Sequence, residues 1–219
     1  MKKQILIVGS GFAGMWAAVS AARLSEQQGN DSLEIAVLAP LPELRVRPRF
    51  YEEKVSTLVA PLTDLFAELD ITFIAGHAEQ IDTTAKTVSY RMSGGAHATA
   101  SYDRLILATG SQTKRPPIAG LADYAFDIDQ LESAQVFERH LDSLALRPST
   151  PERNTVVVCG GGFTGIELAT ELPARLRARF GDNTEIKIVV VERGPVIGGR
   201  YSDALRKTIA EASEALGVE

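Results

Sequence analysis

The sequence predicts an α/β fold in which two strand–turn–helix–strand units follow one another, and three observations predict it. Residues 4–15 read QILIVGSGFAGM, an apolar run that meets a glycine cluster and then a helix-like stretch. Residues 155–167 read TVVVCGGGFTGIE and repeat that arrangement. Between them lie short alternating runs around Gly94-Gly95, the signal of a small antiparallel insertion.

QILIV at 4–8 is continuously apolar, as expected of a parallel strand buried on both faces. A helix is expected from about Phe12 to Ser25, with Met15 and Trp16 packing on its inner face, and EIAVL at 34–38 is the second strand of a right-handed crossover. The stretch from Pro40 to Arg49 holds three prolines and three arginines (Arg45, Arg47, Arg49) and reads as a solvated surface loop. LTDLFAEL at 62–69 predicts a helix and ITFIA at 71–75 a third strand. KTVSYRM and HATASYDR form the antiparallel insertion; LILA at 105–108 is a strand, TGSQTKRPP a loop, and 128–145 a helix. LRPSTPERN at 146–154, with two prolines and mixed charge, marks a domain boundary. The second strand–helix–strand fills 155–192. The final stretch predicts a helix with Leu205, Ile209 and Leu216 at helical spacing, Gly217 as its C-cap, and Val218-Glu219 opening another strand. The expected organisation is a first nucleotide domain over 1–116, a connecting segment and helix over 117–153, and an incomplete second nucleotide domain over 154–219.

At 219 residues the chain can bury one large core or two small ones. A formal charge of -5 argues against nucleic acid as a partner, because phosphate backbones select basic surfaces. The single cysteine, Cys159, excludes a dithiol pair and fits a reducing compartment. It is expected to be a small buried hydrophobe in the strand entering the second cluster. The uncharged run from Ile5 to Ala22 imitates a signal peptide, but Gly9, Gly11 and Gly14 interrupt it at about 1 kcal/mol each in a helix interior. A strand–turn–helix accounts for all three. His77, His97 and His140 lack metal-ligand spacing, so no metal is expected.

Gly9, Gly11 and Gly14 form G-x-G-x-x-G between a strand and a helix, and Gly160, Gly162 and Gly165 repeat it. One glycine makes the tight turn, one lets backbone approach a pyrophosphate, and one lets helix and strand pack closely. The phosphate then meets the free N–H groups of the helix N-terminus. Two such cradles imply two dinucleotides, and hence electron transfer between them. The second unit's strand KIVVVE ends in Glu192, placed to accept from a ribose 2′-hydroxyl and to repel a 2′-phosphate, which favours NADH over NADPH; Arg193 argues the other way. In the first unit Ala39 and Pro40 stand where the acid belongs, and Glu43 in the following loop is the nearest replacement.

With both cradles and YDRLILATGS in view, the chain resembles the FAD-dependent pyridine nucleotide oxidoreductases, flavoproteins with tandem Rossmann-like dinucleotide-binding domains, and within them the type II NADH dehydrogenases. The resemblance implies that Gly9, Ser10, Gly11, Phe12, Ala13 and Gly14, with Ala39, Ala78, Thr109, Gly110 and Ser111, hold FAD. It implies that Gly160, Gly161, Gly162, Phe163, Thr164, Gly165 and Glu192 hold NADH. Glu167 matches the glutamate near the nicotinamide–flavin contact; its plainer reading is a first-turn acid complementing the helix dipole. Glu171 shares that face and is expected to be structural. The implied activity is hydride transfer from NADH to FAD and onward to a quinone or other small acceptor. Alternatives are a soluble NADH:ferredoxin-type reductase, a nitrite reductase flavin module, or a dinucleotide-binding module or redox sensor without turnover. A homodimer is allowed, and the implied location is cytoplasmic, peripheral to the inner face of the membrane in the full-length form. The resemblance also implies more chain than these residues supply, including the region of membrane contact. The 219 residues are therefore expected to be an N-terminal part that holds FAD weakly and lacks quinone reductase activity.

Overall fold

A computed structural model describes residues 2–219. The described residues fall into two compact units: one runs up to Arg45 and resumes at Val59–Thr113, and the other comprises Val46–Leu58 and Lys114–Glu219.

The first unit opens with β1 (Lys3–Val8), α1 (Phe12–Gln27) and β2 (Leu33–Ala39). β3 (Glu43–Arg45) and β4 (Val59–Pro61) follow, then α2 (Thr63–Glu68) and β5 (Ile71–Ala75). β6 (His77–Asp82), β7 (Thr87–Arg91), β8 (His97–Ser101) and β9 (Arg104–Leu107) complete it. A parallel sheet is ordered β5-β2-β1-β9. The period-two geometry of a strand sends neighbouring residues to opposite faces, and both faces are covered. Ile7, Ile35 and Val37 pack with Met15, Ala18 and Phe66 on the helical side. Leu6, Val8, Ala36 and Leu38 pack with Val88 and Ala100 of the antiparallel sheet β6-β7-β8 on the other. This is the physical basis of the continuous apolar runs in the sequence.

Two expectations for this unit are corrected. Glu43–Arg45 pairs antiparallel with Val59–Pro61, so part of the expected surface loop is a strand. Trp16 is 60% exposed, because α1 turns Gly14, Met15 and Ala18 inward and the next residue lies about 100° round the helix.

The second unit contains α3 (Leu121–Tyr124), α4 (Leu131–Leu144), β10 (Thr155–Cys159), α5 (Phe163–Phe180), β11 (Lys187–Val191) and α6 (Asp203–Leu216). β10 and β11 pair in parallel, and Val218 bridges Ile188 in parallel, so the strand expected at Val218-Glu219 begins there. The Ser202 hydroxyl caps α6, and Gly217 ends it in the left-handed conformation at φ 73°, where a Cβ would be strained. Segment Val46–Leu58 buries Phe50, Val55 and Leu58 in this unit and is fixed by arginines of α5: Arg175 donates from Nη1 to the Tyr51 carbonyl at 2.7 Å, and Arg179 pairs with Glu53.

Cys159 is exposed, against the expectation of a buried thiol. Strand alternation explains it. Val158 faces α5 and is buried, so Val157 and Cys159 take the opposite face, which is open among the described residues; Val157 is 54% exposed.

Candidate dinucleotide cradles

Each glycine cluster folds as the same device. At Gly14 an added Cβ would stand 1.9 Å from the Gly9 carbonyl oxygen, and at Gly165 it would stand 1.9 Å from that of Gly160. The third glycine is therefore where helix and turn come closest. Gly9 and Gly160 sit at φ 111° and 118°, a region that favours glycine, and each N–H donates to the end of the neighbouring strand, Leu38 and Val191 respectively, at 2.9 Å. The middle glycines differ. A Cβ at Gly11 or Gly162 meets nothing within 4 Å, which leaves the backbone at the helix start open to a ligand. α1 begins at Phe12 and α5 at Phe163, and neither helix has a side-chain cap or a first-turn acid. Their initial N–H groups suit an anion.

The first cradle joins the later motif. A Cβ at Gly9 would lie 2.2 Å from the Ala108 carbonyl oxygen and 3.3 Å from the Thr109 nitrogen, so Thr109 and the following Gly110 and Ser111 leave β9 against the turn. Asp103 secures that strand: its carboxylate accepts from the Gln4 N–H at 2.8 Å, which holds its pKa below the usual carboxylate range. Ser10 Oγ lies 3.1 Å from the Leu41 carbonyl and 3.2 Å from the Glu43 carbonyl, tying the turn to the segment after β2. Ala39 closes β2 almost fully buried, and its carbonyl accepts from Gly76. Ala78 lies exposed on β6 opposite Tyr90, on the antiparallel sheet rather than in the turn. The three arginines of the expected loop have acidic partners: Arg45 with Glu43, Arg47 with Asp129, Arg49 with Glu52.

In the second cradle the Gly161 N–H donates to Glu192 at 2.6 Å and the Gly194 N–H donates to the same carboxylate at 2.9 Å. These backbone bonds hold the Glu192 pKa below its ordinary value. Phe163 is 55% exposed and stacks on Tyr201 with ring centroids 4.2 Å apart. Glu167 is the fifth residue of α5, beyond the first turn, so it does not complement the helix dipole there as expected. It lines an open groove of about 450 Å³ with Tyr51, Thr170 and Glu171, floored by Ile166 and Ile209. Burial, with the charge of Glu167 next, pushes the Tyr51 phenol up. Tyr51 had no sequence signal for this place, because a separation of more than a hundred residues hides it. Of the histidines, His97 pairs with Glu79 and His140 stacks on Phe126; among the described residues no cluster of acids, histidines and cysteine could hold a metal ion.

The pyridine nucleotide-disulphide oxidoreductase family profile matches residues 3–219. An NADH dehydrogenase-like protein of Mycobacterium tuberculosis is 36% identical over 99% of this chain and 54% of its own length. The type II NADH:quinone oxidoreductase of Staphylococcus haemolyticus is 28% identical over 100% of this chain and 56% of its own. The chain thus spans about half the length of the curated relatives it matches. Among solved structures, NDH2 from Plasmodium falciparum in complex with NADH superposes with a TM-score of 0.83 at 17% identity, covering 100% of this chain and 47% of that one. This last likeness shows the shared α/β dinucleotide-binding fold.

Proposed function

The chain belongs to the pyridine nucleotide-disulphide oxidoreductase family, and on that premise we propose that it passes a hydride from NADH to FAD and the electrons onward to a quinone. The observation that carries the reading is the presence of two cradles of matching geometry in one chain, each with its third glycine packed so tightly that an added Cβ would stand 1.9 Å from the first glycine's carbonyl oxygen. Two dinucleotides on one polypeptide are the components of a hydride relay. FAD supplies the hydride-accepting ring when bound; the protein's part is to hold and orient it.

The chain's own residues fit those cofactors. Gly11 leaves the backbone open for the FAD pyrophosphate, with the Gly9–Gly14 turn and Thr109–Ser111 around it and exposed Ala78 offering a backbone contact; Ala39 only closes the buried end of β2. Gly160–Gly165 does the same for NADH. Glu192 at the end of β11 favours NADH over NADPH, since a carboxylate accepts from a 2′-hydroxyl and repels a 2′-phosphate. Glu167, in its groove with Tyr51, is the acid assigned to the nicotinamide side. The quinone acceptor follows the relatives, one of them a demethylphylloquinone reductase of Synechocystis. Such an acceptor requires work at a membrane surface; among the described residues no helix is long and apolar enough to cross one.

Calorimetric titration tests the reading. One FAD and one NADH should bind per chain, with Gly11→Ala removing FAD alone and Gly162→Ala removing NADH alone. A chain that takes NADH but no flavin would instead be the non-catalytic module.

A further inference from the structure

We infer that Glu43 is the carboxylate that receives the adenosine-ribose 2′-hydroxyl of the dinucleotide in the first cradle; this rests on the reading that the cradle holds FAD. The end of β2, where a ribose acid belongs, has nothing to offer. Ala39 is 3% exposed, its carbonyl accepts from the Gly76 N–H at 3.0 Å, and Pro40 follows. Glu43 is the first acid beyond that point, four residues on, and the fold returns it to the cradle. Ser10, inside the G-x-G turn, has its hydroxyl 3.2 Å from the Glu43 carbonyl and 3.1 Å from that of Leu41, so the turn and the Glu43 backbone meet.

Strand alternation also fixes which face of the hairpin the side chain takes. Residues 43–45 are a strand, so neighbours alternate in facing. Leu44 packs against the helical-side core with Met15 and Phe66, which leaves Glu43 and Arg45 on the opposite face. Their 2.7 Å ion pair confirms that they share it. The Glu43 side chain is 25% exposed, so it is reachable by a ligand, and the pair with Arg45 restricts its rotamers. Antiparallel pairing of Glu43 with Pro61 anchors the backbone below it. The acid that the end of β2 lacks is thus held by a hairpin tied to the phosphate turn through Ser10.

The test compares FAD with an FAD analogue whose adenosine lacks the 2′-hydroxyl, each titrated by quenching of flavin fluorescence into the purified chain and its Glu43→Gln variant. The native chain should bind FAD at least about tenfold tighter than the deoxy analogue, as expected for a hydrogen bond to a charged group. Glu43→Gln should lower FAD affinity by a similar factor and remove the discrimination between the two ligands. Loss of the Arg45 pair alone would weaken both ligands equally, leaving discrimination in place, and that result would overturn the inference. So would a variant that binds FAD as the native chain does. A native chain that binds NADH but neither flavin overturns the proposed function itself, and with it the premise of this inference.

Discussion

Replacing Gly14 with alanine would put a methyl carbon 1.9 Å from the Gly9 carbonyl oxygen and 2.8 Å from its carbon. Ordinary contact begins at 3.4 Å, so the turn and α1 must separate by about 1.5 Å. Neither side yields easily. The Gly9 N–H is bonded to Leu38 at 2.9 Å, and the Ala108 carbonyl presses on the far side of Gly9. Overpacking a tight site costs about 1–3 kcal/mol, and backbone against backbone belongs at the upper end. For a unit of this size each kcal/mol moves the melting temperature by roughly 4–8 °C, so Gly14→Ala should lower it by on the order of 10–20 °C. Gly11→Ala is the control, because its backbone lies at φ -65° and its Cβ meets nothing within 4 Å. It should keep its melting temperature within about 2 °C while losing FAD, since the methyl fills the phosphate approach. Scanning calorimetry of both variants with FAD titration reads the two effects separately. If Gly14→Ala melts with the native chain, or Gly11→Ala falls as far, the division of labour among the glycines is wrong.

The second unit supports three further predictions. Arg175 is 2% exposed, and its buried Nε makes no hydrogen bond, only a 4.0 Å ion pair with Glu53. Arg175→Ala should therefore cost about 3 kcal/mol by orphaning the Tyr51 carbonyl and opening a cavity, whereas Arg175→Met should be near neutral; urea midpoints decide. Cys159 should react one-to-one with an aromatic disulfide reagent in the native chain, and protection until denaturant is added would show that the outer face of β10 is covered. The Glu192 carboxylate, lowered by the Gly161 and Gly194 N–H groups, stabilises the second cradle above its ordinary pKa of 4.5, and that contribution disappears as pH falls through its lower folded value. The Gly161 amide resonance should titrate with a midpoint below 4.5.

What was legible in the sequence was local. The glycine spacing states its own geometric demand, and the alternation of Leu6 and Val8 with Ile5 and Ile7 follows from a strand covered on both faces. What was not legible depended on partners distant in sequence. Cys159 sits in a strand as apolar as β1, yet its face is open, and no local pattern tells a covered face from an uncovered one. The pairing of Glu43–Arg45 with Val59–Pro61 spans a segment that packs in the other unit. That pairing hid a strand among prolines and left Glu43 looking like a loop residue. Trp16 fell on the outer side because one residue of helical phase separates it from Met15. Glu167 lies past the first turn of α5 because that helix begins at Phe163, two residues before the last cradle glycine, and no local pattern marks that start.

The central claim is that both cradles serve one reaction, and an anaerobic NADH titration of the FAD-loaded chain tests it most directly. The account predicts that the visible flavin band bleaches with one NADH per flavin, and that Gly162→Ala abolishes the bleaching while keeping the flavin. A flavin band unchanged by saturating NADH, in a chain shown to bind both, would contradict it.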